Sequence, residues 1–288
     1  MQSGYITTKK KKLHIRKQFV KRFGFRPNFD KPKTFNEKMQ WLKLHYRNRL
    51  MVVGADKLAA RRYVKSRAGP DILTKLYGVY SRSEQIDFDH LPSSFVLKTN
   101  NSSGTNIICK NKEDLDITDT KEKLEEWLNI KKGHYHYSYE WAYKNIKPKI
   151  LCEEFLEEKK YNDLRDYRFM CFHGRAELIY VSSNRQVDLR MDFFDLEWNH
   201  LPIKKGRENS DVPIDPPQNL EYMIDIAEKL AKPFPFVRVD FFEIGDRVVF
   251  GELTFYPSSG LQPILPIEWD YKLGSMLKLP RKSWRTLI

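Results

Sequence analysis

Two carboxylates, Asp240 and Glu252, stand inside the apolar arms of "VRVDFFEIGDRVVFGELTF", residues 237–255. Val, Phe and Ile dominate both arms and Gly245-Asp246 supplies a turn, so the segment reads as a β-hairpin. Side chains alternate faces along a strand. Arg238, Asp240 and Phe242 therefore share one face of the first arm, and Val248, Phe250, Glu252 and Thr254 share one face of the return arm. A three-residue loop at 245–247 pairs Ile244 with Val248. It then sets Asp240 opposite Glu252 and Arg238 opposite Thr254, whereas a two-residue loop puts the acids on opposite faces. Like charges directly opposite each other destabilise a sheet. A shared cation relieves them, and hard oxygen donors suit Mg²⁺. The competing reading leaves one or both acids on a solvated face.

Upstream, "KTNNSSGT" at 98–105 has the makings of an anion cradle. Small polar residues around Gly104 let backbone N–H groups point at phosphate oxygens, and Lys98 can add its ammonium from the end of the preceding strand. The GK[ST] tail of a P-loop is absent, and a hairpin turn beside a surface lysine is the plainer alternative. "ILCEEFLEE" offers an apolar strand whose continuation can present backbone groups to an adenine edge. Glu153, Glu154, Glu157 and Glu158 can accept ribose hydroxyls there, or lie solvated. "DFD" at 87–89 and "DLD" at 114–116 are candidate metal motifs for a sugar-nucleotide glycosyltransferase, and both look like turn acids flanking strands.

Elements must hold these groups in place. The segment from Lys9 carries Ile15, Phe19, Val20 and Phe23 between cations, a basic amphipathic helix suited either to an anionic membrane surface or to packing on the body. Thr34 and Glu37 form a capping box ahead of a helix with Met39, Leu42 and His45 or Tyr46. Asp56 N-caps a second helix that Gly69 stops. Strands at 95–98 and 106–110 flank the 99–105 loop, and a helix follows at 121–129. "DYRFMCFHGRAELIYVSS" is two strands joined at His173-Gly174. Residues 204–219 are loop by composition, and 220–231 form a helix burying Met223, Ile224, Ala227 and Leu230. Helices followed by several hairpins with interspersed helices make the class α+β.

Composition narrows the partners. The 288 residues are 41% apolar and 14% aromatic, enough for one large or two small globular domains. No apolar run approaches the ~20 residues of a membrane span, and no apolar h-region follows the basic N-terminus. Cys109, Cys152 and Cys171 stand alone in apolar settings, as reduced core residues of a cytoplasmic protein. His134 and His136 read as surface residues rather than zinc ligands. The net charge of +13 is unevenly placed: residues 1–70 hold 20 Lys/Arg and 3 Asp/Glu, and the remainder is slightly acidic. That is not the general basic footprint of a nucleic-acid binder.

The order of motifs is more specific than any one of them. An Asp-Lys helix start, a strand lysine with a glycine loop, an apolar strand ending in Glu-Glu, an R-x-D strand and an E-x-T strand occur in succession. This order resembles the ATP-grasp fold, and more narrowly the TupA-like ATP-grasp family of bacterial surface-polysaccharide gene clusters. The resemblance runs from about Thr34 to Leu265, through "TFNEKMQWL", "FVLKTNNSSG", "ILCEEFL", "DYRF", "FFDLEW", "VRVDFFE" and "GELTFYPSSG". It implies a basic helical segment at 1–55 and two α+β subdomains, 56–150 and 151–288, that grip ATP between antiparallel sheets.

The resemblance also implies roles. Lys57 and Lys98 would grip the nucleotide phosphates, with Ser103 and Gly104 in the loop that covers them. Glu153, Glu154, Phe155 and Leu156 would form the adenine hinge, mainly through backbone, and Asp166 would contact the ribose. Arg238 would steady the transferred phosphoryl group, and Asp240 and Glu252 would hold Mg²⁺. Thr254 stands where the family pattern usually has Asn, as a candidate third metal ligand. Only 55 residues precede the Asp-Lys helix, where related ligases carry a full α/β domain, so the acceptor site is expected to draw on the basic N-terminal helices. The implied reaction activates a carboxylate with ATP and joins it to an amine, with a uronic acid of a surface polysaccharide as the expected carboxylate. The protein would be cytoplasmic, with contact to the inner membrane face through its basic helix and no nucleic-acid partner. A glycosyltransferase and a non-catalytic basic adaptor for membrane or polyanion are the alternatives.

Overall fold

Helix α1 (Thr8–Phe23) turns its apolar stripe inward. Ile15 and Phe19 are fully buried, and Ile15 packs in a small core with Phe29, Leu44, Tyr135 and Tyr139. Phe23 stacks on Phe19 with ring centroids 4.2 Å apart. The stripe of Ile15 and Phe19 is thus covered by the body, and α1 shows Lys9, Lys10, Lys17, Lys21 and Arg22 to water, with Leu13 among them. Among the residues that this computed structural model describes, 8–129, 133–157, 164–184 and 188–281, no helix is long and apolar enough to cross a membrane.

The expected capping box is present on α2 (Phe35–His45): Thr34 accepts from the Glu37 N–H while the Glu37 carboxylate accepts from the Thr34 N–H. A short helix α3 (Arg49–Ala55) follows, which the sequence reading does not anticipate because "RLMVVGA" mixes β-branched residues with glycine. It lies so close to the end of the molecule's central hairpin that a Cβ at Gly54 would meet the Phe255 ring at 2.9 Å. Helix α4 (Lys57–Ala68) starts at its Asp56 cap and stops at Gly69, whose φ of +87° suits glycine.

Two antiparallel sheets follow. The smaller has the order β1 (Leu76–Tyr80), β4 (Ile150–Glu153), β2 (Phe95–Thr99), β3 (Asn106–Cys109), and is backed by α5 (Ile117–Leu128). Helix α5 begins earlier than expected because Asp116 caps it. Strand β4 pairs within this sheet, which therefore draws on residues on both sides of the 150/151 division. A short helix, α6 (Gly133–Ser138), precedes β4. The larger sheet has the order β10 (Arg247–Thr254), β9 (Phe236–Ile244), β5 (Asp166–Phe172), β6 (Arg175–Ser183), β7 (Arg190–Phe194), β8 (His200–Leu201).

Parity divides the larger sheet into two chemically distinct faces. Val237, Val239 and Phe241 of β9 lie opposite Cys171, Phe169 and Tyr167 of β5, all buried, on the face that α7 (Leu220–Ala231) covers. Helix α7 buries Met223, Ile226, Ala227 and Leu230. Ile226 takes the place expected for Ile224, which is half-buried. The last helix, α8 (Ile267–Met276), packs on α2, where the buried Asp270 accepts from the backbone N–H and the side-chain amide of Asn36. The other face of the sheet carries the charged residues.

Candidate active site

The hairpin β9–β10 brings the acids together by a different route from the one the sequence suggests. Its turn has two residues, Gly245-Asp246, and pairs Arg247 with Ile244 and Phe250 with Phe241. Continued unchanged, that register would set Glu252 opposite Val239, on the core face. A β-bulge at Gly251 inserts one residue and resets the pairing to Glu252 with Asp240 and Thr254 with Arg238. Glycine suits the bulge because a Cβ there would lie 3.1 Å from the Asp240 carbonyl oxygen and 3.3 Å from the Phe242 ring. The expected three-residue loop is therefore corrected, while the opposition of the acids stands.

The cation between the acids belongs to the protein. Arg238 donates through Nε to Asp240 Oδ1 at 2.7 Å, through Nη2 to Asp240 Oδ2 and to Glu252 Oε1 at 2.8 Å, and through Nη1 to the Tyr180 hydroxyl at 2.9 Å. Thr254 Oγ1 donates to Glu252 Oε1 at 2.6 Å, so its hydroxyl orients that acid. On β5, directly across from Asp240, Arg168 reaches Asp240 Oδ2 at 3.7 Å and forks onto Asp166 Oδ2 with Nε at 2.9 Å and Nη2 at 2.7 Å. "DYR" and "RVD" thus place acid–arginine pairs on neighbouring antiparallel strands, with one residue between the partners. Burial pushes the Asp240 carboxyl up to about 7 against the pull of Arg238, with Asp166 and Glu252 adding to the rise. Burial also opposes ionisation of Glu252, but Arg238, Lys57 and the Thr254 hydrogen bond outweigh it and hold that acid below its usual range.

A cavity of about 330 Å³ lies between the two sheets. Eleven of the thirteen residues singled out by the sequence line it: Lys57, Lys98, Ser103, Gly104, Glu153, Glu154, Phe155, Leu156, Asp166, Asp240 and Glu252. Arg238 and Thr254 do not line it and stand behind the two acids as their hydrogen-bond partners. Lys57 opens α4 and hydrogen-bonds the Ser102 carbonyl, while Asn100 bonds the Asp56 cap at 2.9 Å, so the helix start and the loop are fastened together. Burial lowers the Lys57 pKa. Gly104 sits at φ +76° with open space around it, leaving the loop backbone accessible.

Glu153 corrects the solvated reading. It is buried, with one carboxylate oxygen 2.6 Å from Lys98 and the other 3.2 Å from Arg61. Its side chain therefore sets the position of the lysine and is not turned toward water. Glu154 pairs with Arg247 at 2.6 Å, and its N–H is taken by the Lys75 carbonyl at 2.9 Å. Strand β4 ends at Glu153, so the backbone of Phe155 and Leu156 runs on outside the ladder and into the cavity wall. Val96, Ile108, Leu164, Phe242 and Phe250 supply apolar walls beside them. Glu157 is exposed, and Glu158 lies outside the described residues, as do the side chains of His134 and His136.

Several groups of this region escape the sequence reading. Tyr180 on β6 stands over the same face, with Arg168, Arg238 and Lys205 around its ring at 5.4, 5.8 and 5.3 Å. Lys43 of α2 is buried and donates to both the carbonyl and the hydroxyl of Ser259 at 2.9 Å, and burial pushes its pKa down to about 8. It braces the turn after β10, where Ser258, Ser259 and Gly260 all have positive φ. The two D-x-D motifs are structural: Asp87 holds His90, and Asp114 and Asp116 hold Asn111 and the start of α5. Cys109, Cys152 and Cys171 are buried free thiols. Among the described residues no group of three or more His, Cys, Asp or Glu is arranged to hold a metal ion. A cation at Asp240 and Glu252 would therefore take further oxygens from a bound ligand.

No curated protein sequence matches the chain. Among solved structures it is similar to a D-alanine–D-alanine ligase from Bacillus anthracis complexed with ATP, at 15% identity and TM-score 0.43 over 78% of this chain and 63% of that one. It is similar to the D-alanine–D-alanine ligase of Helicobacter pylori, at 16% identity and TM-score 0.45 over 84% of this chain and 69% of that one. Phosphoribosylamine–glycine ligase from Thermotoga maritima matches at 13% identity and TM-score 0.41, over 73% of this chain and 50% of that one. The chain thus spans about half to two thirds of the length of these proteins. A protein-family description, TupA-like ATPgrasp, matches residues 37–278, from α2 to the end of α8 and across both sheets, and by that match the chain belongs to the TupA-like ATP-grasp family.

Proposed function

We propose that this protein is an ATP-dependent carboxylate–amine ligase. The observation that carries the reading is the cavity between the sheets, where Lys57, Lys98 and the Gly104 loop face Asp240 and Glu252. Its volume of about 330 Å³ and its mix of apolar walls with a few aimed charges suit a nucleotide-sized ligand. Adenine would lie along the backbone of Phe155 and Leu156, between the apolar side chains. Asp166, oriented by Arg168, would accept a ribose hydroxyl. Lys57 and Lys98 would take the phosphates. We read the two sheets, with their helices, as the two gripping subdomains.

Asp240 and Glu252 fit Mg²⁺, which binds through one or two carboxylates and completes its shell with phosphate oxygens, and which when bound neutralises charge on a transferring phosphoryl group. Thr254 would then act by aiming Glu252. In the reaction a carboxylate oxygen of the acceptor attacks the γ-phosphorus and ADP leaves. The amine nitrogen then attacks the acyl carbon of the acyl phosphate, and phosphate departs with one oxygen of the original carboxylate as the amine loses a proton. Arg168 and Arg238 contribute positive potential at the site where charge develops. The family's place in surface-polysaccharide synthesis supports a uronic acid as the carboxylate and an amino acid or amine as its partner, in the cytoplasm. With Ile15 and Phe19 buried, any membrane contact through α1 would fall on its exposed cations and Leu13.

ATP with Mg²⁺ is expected to raise the melting temperature, since a ligand at 100 times its Kd adds about 2.7 kcal/mol. Lys98→Ala is expected to remove most of that shift while keeping the fold, because Glu153 retains Arg61. A folded protein that shows no shift at millimolar ATP contradicts the proposal.

A further inference from the structure

Asn100 stands at the base of the loop that carries Ser103 and Gly104, and it is 1% exposed. Its polar atoms reach three separate segments. The carbonyl accepts from the Lys57 N–H at 3.1 Å, and Nδ2 donates to Asp56 Oδ1 at 2.9 Å. The same Nδ2 donates to the Lys147 carbonyl at 3.1 Å, and Oδ1 accepts from the Lys149 N–H at 2.8 Å. The Asn100 N–H donates to the Lys149 carbonyl at 3.1 Å. One buried residue thus ties the loop to the start of α4 and to the run into β4, the strand that ends at Glu153. Asn100 does not itself line the cavity.

These ties fall where they fix Lys57 against the loop. Lys57 is the first residue of α4, so its N–H has no partner within the helix, and the Asn100 carbonyl supplies one. The Lys57 ammonium is held by the carbonyl of Ser102, two residues further along the same loop. Thr99 and Thr105 close the neck of the loop, with an N–H to carbonyl bond of 3.2 Å and their hydroxyls 2.5 Å apart. Beyond that neck, Ser102, Ser103 and Gly104 line the cavity together with Lys57. A lysine and a loop backbone can grip one phosphate chain only if their separation is held, and a displacement of about 1 Å in such an arrangement is costly.

We propose that Asn100 is a positioning residue for phosphate binding: through the Asp56 carboxylate and the Lys57 N–H it holds Lys57 and the loop backbone at a fixed separation, so that both close on the same phosphates. The proposal rests on the nucleotide assignment of the ligase reading and adds to it a residue that does not touch the nucleotide. The link from Asn100 to Asp56 lies at the phosphate end of the cavity, beside Lys57, whereas the backbone of Phe155 and Leu156 forms the other end. Breaking that link should therefore weaken the hold on phosphates and spare the nucleobase.

The test is calorimetry with ATP and Mg²⁺, and separately with adenosine, at a temperature where circular dichroism shows each variant folded. Asp56→Gly removes the link with little harm to α4, since Gly caps a helix nearly as well as Asp. It also removes a negative charge, which by itself would strengthen ATP binding. Asn100→Asp breaks the link by setting two carboxylates against each other, and it adds a negative charge. Both variants are expected to weaken ATP by about fivefold or more, a part of what a hydrogen bond to a charged group contributes, and to leave adenosine nearly unchanged. Asn100→Asp combined with Asp56→Asn reverses the link: the new amide can donate to the new carboxylate, its oxygen can still cap α4, and the net charge is that of the wild type. ATP affinity in the double variant should return to within about threefold of wild type. Unchanged or tighter ATP binding in Asp56→Gly, an equal loss of ATP and adenosine, or no recovery in the double variant would each overturn the proposal. Should Asn100→Asp fail to fold, Asp56→Gly and the double variant decide the matter. Wild-type protein that binds no ATP would bring down the ligase reading and this proposal together, whereas wild-type binding that the variants leave untouched would bring down the proposal alone.

Discussion

Arg238→Ala is expected to be the most destabilising single substitution in the site, costing about 3–5 kcal/mol, the range for removing one partner of a buried ion pair. Arg238 is 8% exposed and Asp240 3% exposed, so neither charge can turn to water. The guanidinium makes two hydrogen bonds to Asp240, one to Glu252 and one to Tyr180. Without it, two carboxylates stay opposite each other across β9 and β10. A loss of that size is a large fraction of the 5–15 kcal/mol typical of a folded domain. The cause can be separated from cavity formation by adding Asp240→Asn, which removes one of the two like charges. The double variant should recover part of the lost stability in urea denaturation, so that it is less destabilised than the sum of the two single variants. A single variant as stable as wild type would show that the acids do not depend on Arg238.

Glu252→Gln is expected to keep the fold and lose the chemistry. The amide oxygen of Gln can still accept from Arg238 and Thr254, so the hydrogen-bond pattern around Oε1 survives. What disappears is one negative charge facing the phosphate end of the cavity. Loss of preorganised charge stabilisation of this kind slows catalysis by about 10²-fold or more. ADP release with a uronic acid and an amine, followed alongside circular dichroism, measures both halves of the expectation. A folded Glu252→Gln protein with full activity would falsify the metal-site assignment. Because Arg238 holds both acids in the fold, Glu252→Gln is a cleaner probe of chemistry than Arg238→Ala, whose effect on activity is mixed with its effect on folding.

How far the sequence reveals this site differs from residue to residue, for physical reasons. Strand parity pairs Asp240 with Glu252 only if the loop has three residues; the loop has two, and the extra residue lies inside β10 instead. The visible clue is Gly251, a glycine inside an otherwise apolar strand, which marks a bulge. Lys98 and the glycine loop are legible as a strand end and a turn, and the start of α4 from its Asp56 cap, because those signals are local. Glu153 is not: its exposure depends on Arg61 and Lys98, which only the tertiary fold brings to it. The same holds for α1, whose apolar stripe is plain in the spacing of Ile15 and Phe19 but whose cover, Leu44 and Tyr135 among others, comes from distant segments. Arg168 was legible in principle, since Asp166 and Arg168 share a face as Arg238 and Asp240 do. Tyr180 and Lys205 carry no local signature, because their role arises from strand order and from a loop folded back over the sheet.

The central claim is that a carboxylate is activated by ATP in the cavity between the sheets, and the fate of the carboxylate oxygen tests it most directly. Galacturonate labelled with heavy oxygen in its carboxyl group would be incubated with the protein, ATP, Mg²⁺ and an amine, and the released phosphate examined by mass spectrometry. Carboxylate attack on the γ-phosphorus predicts that each phosphate released carries one labelled oxygen and that the label transfer disappears in Glu252→Gln. Release of ADP and phosphate in equal amounts with no label in the phosphate would mean that water is the attacking group, and would contradict the account.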